Sequence, residues 1–184
     1  MPVSSALAKL YASVLNLRLT KWAETWECRA VAQAGFRKDH QCSDDVSNLR
    51  TLIEKARARR GSLYICFIDF SNTFDTIPRH LLWERLRELR IHGIFLRAVQ
   101  SMYHNVKARV STPEGLTEAF PSEMGIKQGC PMSPLLFGLF LDPLEELLLQ
   151  GDADAPLIGD RAVPAQFLLT TPNSSRLPPR GYKK

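Results

Sequence analysis

At 184 residues, with 45% apolar and 23% charged side chains, the chain suits one compact domain or part of a larger one, and its composition excludes a disordered polymer. A net charge of +5 and a pI near 9.2 are compatible with a nucleic-acid partner without requiring one. The most apolar stretch, Leu135 to Leu141, meets Asp142, Glu145 and Glu146 too soon to span a bilayer, which takes about 20 apolar residues.

The start, Met1 to Ser5, lacks signal-peptide character. Cys28, Cys42, Cys66 and Cys130 show no C-x-x-C spacing, so all four read as reduced thiols. Both features point to an intracellular chain, in the nucleus or the cytoplasm.

In chain order, residues 5 to 26 form a predicted helix, with Leu7, Leu10, Tyr11, Val14, Leu15 and Leu17 at helical spacing. A loop follows over 31 to 42. Ser43 is the expected N-cap of the next helix, with Asp44 and Asp45 in its first turn. Val46, Leu49, Leu52, Ile53 and Ala56 make its apolar stripe, Arg57, Arg59 and Arg60 lie at its end, and Gly61 stops it.

Leu63 to Ile68 is an apolar run of strand length, expected as a central strand buried on both faces. Pro78 opens a helix carrying Leu82, Leu86 and Leu89. Gly93 breaks it, and another helix runs from about Ile94 to His104. Val106, Ala108 and Val110 alternate with Lys107 and Arg109. With Pro113-Glu114-Gly115 as a turn and Thr117 to Ser122 as the return strand, they predict a hairpin. A long helix, apolar on all sides and therefore buried, is expected from about Met132 to Gln150. Residues 151 to 184 hold five prolines and a basic end, and little fixed structure is expected there.

Two segments carry chemistry. The first reads Phe-Ile-Asp-Phe-Ser-Asn-Thr-Phe-Asp over 67 to 75, an apolar run ending on the carboxylate of Asp69. A strand end fixes a carboxylate in place, as a magnesium ligand requires; the bland reading is a strand followed by an Asp-containing turn. The second runs over 125 to 134, Gly125-Ile126-Lys127 followed by Gln128-Gly129-Cys130-Pro131-Met132-Ser133-Pro134, a Gly/Pro turn opening the apolar helix. Its bland reading is a proline-started core helix without a site.

In this order the two segments resemble motifs A and B of a reverse transcriptase of the non-LTR retrotransposon type. Gln33-Ala34-Gly35-Phe36-Arg37 adds a third match, and Lys9-Leu10-Tyr11-Ala12 resembles the end of an earlier fingers motif. The resemblance implies an α+β fold: part of the fingers and palm of a right-hand polymerase, with an incomplete antiparallel palm sheet and packed helices. Fingers would cover about 1–60 and 78–128, palm about 61–77 and 129–150, with a degenerate tail over 151–184.

The resemblance assigns roles. Asp69 would be the catalytic carboxylate and ligand of Mg²⁺. Phe74 would pack under the incoming sugar, and Gln128, Gly129, Arg37 and Lys9 would face the nucleotide, with Gly129 admitting a close backbone approach. Asp75, Pro131, Ser133 and Pro134 would be structural, Asp75 by capping the following turn and the prolines by setting the turn and first helical positions. Thr73 replaces the family's usual alanine. The partners of the family are an RNA template and a DNA primer.

The family's next motif is an aromatic-Ala-Asp-Asp hairpin. Where it is expected the chain reads Thr170-Thr171-Pro172-Asn173, and Asp152 and Asp154 precede its apolar lead-in. The expectation is therefore a fragment of an RNA-directed DNA polymerase that is inactive alone and binds nucleic acid weakly and without sequence preference. The alternative is a non-catalytic, element-derived relic that binds nucleic acid weakly or serves in protein interaction.

Overall fold

The computed structural model describes residues 5–29, 37, 41–67, 70, 72–151 and 155–163. The expectations for Ile68 and Asp69, for Gln33 to Phe36, for Asp152 and Asp154 and for the tail beyond Val163 lie outside these residues. The described part is α+β, six helices with three small antiparallel pairs of strands. No helix among the described residues is long and apolar enough to cross a membrane.

Helix α1 (Ala6–Thr25) starts at Ser5, whose Oγ accepts from the Ala8 N–H at 3.2 Å. It buries Ala12, Leu15, Leu19 and Ala23. The expected stripe is thereby corrected: of its members only Leu15 is buried, while Leu7, Leu10, Tyr11, Val14 and Leu17 stay exposed. Apolar residues run almost all round this helix, so spacing alone does not choose its inner face. Packing selects the row that contains two alanines.

Helix α2 (Cys42–Ala58) is capped at Gln41, not at Ser43, because Asp44 reaches back to accept from the Gln41 N–H at 2.9 Å. At its far end Arg60, rather than Gly61, takes the left-handed conformation, at φ 51°. The Arg60 N–H donates to the Arg57 carbonyl and the Gly61 N–H to the Ala56 carbonyl, the hydrogen-bond pair of a Schellman turn.

The central strand expected over 63 to 68 is not formed in its described part, 63 to 67. Tyr64 is 93% and Phe67 83% exposed, and no described residue pairs with this segment. A strand closes its backbone hydrogen bonds only on a neighbour, so apolar character alone cannot make one.

Helices α3 (Arg79–Glu88) and α4 (Gly93–Ser101) fall close to where expected, with Leu82 and Leu86 fully buried and Gly93, φ 67°, as the first residue of α4. In the hairpin, β1 (Lys107–Ala108) pairs with β4 (Phe120–Pro121), and β2 (Ser111–Thr112) with β3 (Gly115–Leu116). Between the two ladders Glu118 and Ala119 stand opposite Arg109 alone, which makes a bulge.

The expected long helix is two. Helix α5 (Ser133–Leu141) is buried nearly throughout, and α6 (Pro143–Gly151) follows after Asp142. Pro143 has no N–H for the Leu139 carbonyl, and the Arg85 Nε donates to that oxygen at 3.2 Å instead. The core gathers α1, α3 and α4 around α5. The tail is more ordered than expected at its start: β5 (Leu157–Ile158) and β6 (Arg161–Ala162) form a small hairpin, and the Lys55 Nζ donates to the Leu157 carbonyl at 3.2 Å.

Candidate functional site

The two motifs meet. After Phe70 the first motif winds into a turn at Asn72, φ 53°, where the N–H groups of Asp75 and Thr76 donate to the Asn72 carbonyl at 2.9 and 3.2 Å. Thr73 fits because its hydroxyl donates to the Phe70 carbonyl at 2.7 Å. Phe74 then turns inward and packs edge-on against Phe137 of α5, ring centroids 5.5 Å apart. It is 7% exposed, so the structure places most of this ring in the core rather than on an open floor.

The second motif docks on the backbone of the first. The Gly125 N–H donates to the Ile77 carbonyl at 2.9 Å and the Ile126 N–H to the Phe74 carbonyl at 2.7 Å. At Gly125, φ 75°, a Cβ would lie 2.7 to 2.8 Å from the backbone of Phe74 and Asp75. Within the protein, the close backbone approach is at Gly125. Gly129 also has φ 75°, but open space surrounds it.

The side chains close the same junction. The Gln128 Nε2 donates to the Asp75 Oδ2 at 2.6 Å, at the protein surface. Asp75 thus holds the second motif. The Ser133 Oγ donates to the Lys127 carbonyl at 2.6 Å, and the Ser133 N–H to the Cys130 carbonyl at 3.1 Å. Pro131 lies in the turn, and Pro134 occupies the first turn of α5, where an N–H would have no intrahelical acceptor.

Arg79 is the residue that the sequence did not announce. Its Nε donates to the Gly125 carbonyl at 2.7 Å, Nη1 to the carbonyls of Ser122 and Tyr103 at 2.6 and 3.3 Å, and Nη2 to the Met124 carbonyl at 2.9 Å. It also lies over the Tyr103 ring, 5.3 Å from the centroid. Partial burial pulls its pKa down, and the Tyr103 phenol opposes that shift. The guanidinium fork thus fastens the loop before the second motif to the start of α3. A lone arginine after Pro78 carries no sequence signal of this.

Other candidates lie apart. Arg37 pairs with Glu24 at 3.4 Å, in a charged cluster with the buried Arg29. Burial lowers the Arg29 pKa, opposed by Glu24 and by Asp142 at the end of α5. Lys9 is exposed on the first half of α1. Among the described residues neither is brought to Gln128.

Magnesium does not fit the described residues alone. No group of three or more His, Cys, Asp or Glu side chains among them could hold a metal ion, and the Asp75 carboxylate is already engaged by Gln128.

The comparisons with known proteins give these motifs a context. The chain is similar to the retrovirus-related Pol polyprotein of the type-2 retrotransposable element R2DM of Drosophila melanogaster, 28% identical over 142 residues, covering 77% of this chain and 13% of that protein. The corresponding type-1 R2 polyprotein of Popillia japonica is 26% identical over 182 residues, 96% of this chain and 25% of that protein. The transposon TX1 uncharacterized 149 kDa protein of Xenopus laevis is 29% identical over 105 residues, 57% of this chain and 8% of that protein. The chain therefore spans a quarter or less of the length of these relatives. Residues 2–155 match the family described as reverse transcriptase (RNA-dependent DNA polymerase), and with that match over most of its length the chain belongs to this family, in its non-LTR retrotransposon branch.

Proposed function

We propose that the junction of the two motifs is the nucleotide-facing part of an RNA-directed DNA polymerase. The observation that carries this reading is the Gln128–Asp75 hydrogen bond of 2.6 Å, which ties the two motifs at the surface. The bond orients the Gln128 amide beside Gly129, whose open surroundings leave room for a nucleotide. Phe74 supports this surface from below through Phe137, and its exposed edge is the part left for a sugar. Asp69 supplies one carboxylate toward Mg²⁺, with Arg37 and Lys9 reaching the nucleotide only in an assembly that brings the fingers over the palm. In this reading fingers cover about 1–60 and 78–128 and palm about 61–77 and 129–150, and the bound partners are an RNA template and a DNA primer.

The 184 residues contain no aromatic-Ala-Asp-Asp sequence. Nucleotidyl transfer uses paired divalent ions to clamp the attacking and leaving oxygens, and one carboxylate cannot hold such a pair. As an isolated polypeptide the chain is thus inactive and binds nucleic acid weakly. The test has two arms. A photoreactive deoxynucleoside triphosphate should label the peptide containing Gln128 to Cys130, and label confined to other peptides would overturn the site. Primer extension on a polyribonucleotide template, with Mg²⁺ or Mn²⁺, should give no product. Template-dependent incorporation lost in Asp69→Ala would overturn the inactivity.

A further inference from the structure

A cavity of about 280 Å³ lies away from the motif junction, between α1 and the turn that joins α3 to α4. Its floor is apolar, made by the buried Leu19 and Ile91. Two half-buried aromatic side chains, Trp22 and Phe95, form its walls. Arg18, Arg90 and His92 stand exposed at its rim, and among the described residues no carboxylate lines it.

Several other arginines of the fold are tied to protein partners, while Arg57, Arg59, Arg60, Arg87, Arg97 and Arg109, like those at the rim, have no ion pair among the described residues. Arg50 and Arg85 pair with Glu54 and Glu88, Arg37 with Glu24, and Arg79 with four carbonyls. Arg18 and Arg90 have no carboxylate partner among the described residues; Arg18 instead lies over the Phe95 ring, 5.8 Å from the centroid. Arg90 is held in the left-handed conformation, φ 61°, by the Schellman turn that ends α3. Glycine takes that conformation without strain, so the turn would form at least as well without this side chain.

We propose that this cavity seats one nucleotide of a single-stranded nucleic acid crossing the α1 face. The rim selects an anion, the walls select a flat ring, and a nucleotide carries both. Enclosed small-molecule pockets run from roughly 300 to 1,000 Å³, so this smaller, open one suits one unit of a longer strand. The strand is single because an aromatic wall reaches a base face only when that face is not stacked within a duplex. The site rests on the reading of the chain as a nucleic-acid binder, but uses none of the motif residues.

The experiment follows tryptophan emission of the full chain during titration with a short oligothymidylate. Saturable quenching should appear and should vanish in Trp22→Phe. Arg90→Gly should weaken binding about tenfold, one charge-assisted contact being worth about 1.4 kcal/mol. Each arginine removed should lower the slope of log affinity against log salt by about 0.7. Because Arg90→Gly relieves the backbone, an unchanged or raised unfolding midpoint will separate lost contact from lost fold. Inorganic phosphate should not displace the strand, and displacement by phosphate alone would reduce the site to an anion sink and overturn the nucleotide seat. Unchanged affinity and salt slope in the Arg18→Gln, Arg90→Gly double variant would overturn the seat while leaving the nucleic-acid reading intact. No binding at all by the unaltered chain would overturn both, and equal affinity for a duplex would overturn the seat.

Discussion

At the scale of residues, two glycines of one turn do different work. Both Gly125 and Gly129 have φ 75°, but only at Gly125 would a Cβ meet backbone, at 2.7 to 2.8 Å. Alanine at 129 should cost about 1 kcal/mol from the left-handed backbone alone. Alanine at 125 adds overpacking against atoms that cannot rotate away, for a total of about 3 kcal/mol. Urea unfolding of the two variants measures the difference, and equal losses would mean that the motif junction is looser than described. The sequence shows that both glycines belong to the turn; which of them touches Asp75 depends on a tertiary register that no local pattern encodes. Tyr103 gives a second residue-scale prediction. Burial, with a smaller contribution from nearby Cys130, pushes its phenol from 10 up to about 12, against the pull of Ser133, Lys127 and Arg79. The native state therefore keeps a proton that the unfolded chain has lost between those values. This contribution is intact below pH 10 and disappears as pH rises toward 12, about 3 kcal/mol at full titration. Stability measured across that range should fall less steeply in Tyr103→Phe; an identical fall in both proteins would place the alkaline sensitivity elsewhere.

At the scale of elements, helix ends and helix faces were unequally legible. Leu82 and Leu86 recur at i, i+4 on α3, so its inner face followed from spacing. On α1 the apolar residues surround the axis, and the face was settled by what could approach closely, Ala12 and Ala23 beside Leu15 and Leu19. The break between α5 and α6 was visible as Pro143, but the apolar run hid it. The freed Leu139 carbonyl then found the Arg85 guanidinium, a partner from another helix that no local reading supplies. At the end of α2 the glycine is offset by one place. Arg60 bears the left-handed angle while Gly61 follows it. Arg60→Gly should therefore stabilise the fold by about 1 kcal/mol, read as a higher urea midpoint at unchanged slope. A loss of stability would show that the Arg60 side chain has a partner worth more than the strain.

At the scale of the whole molecule, order is concentrated on α5 and thins toward the segment that leads into Asp69. Leu135, Leu136, Phe137 and Leu139 are at most 5% exposed, at the meeting point of α1, α3 and α4. Leu63 to Phe67, the most strand-like run in the sequence, leaves Tyr64 and Phe67 facing solvent. The apolar pattern that marks this run reports that both its faces suit burial, and it cannot report where the covering partner comes from. Among the described residues no backbone partner closes its hydrogen bonds, so local opening there should cost little. Native-state hydrogen exchange should reflect this gradient. Amides of residues 63 to 67 should exchange near the free-peptide rate, while those of α5 should be protected up to the global unfolding free energy. Strong protection at Tyr64 to Phe67 would show that the segment is paired as a strand after all, with a partner within these 184 residues. With exchange as fast as expected, an added polypeptide that protects this run and leaves α5 unchanged would identify the missing neighbour by its position rather than by its sequence.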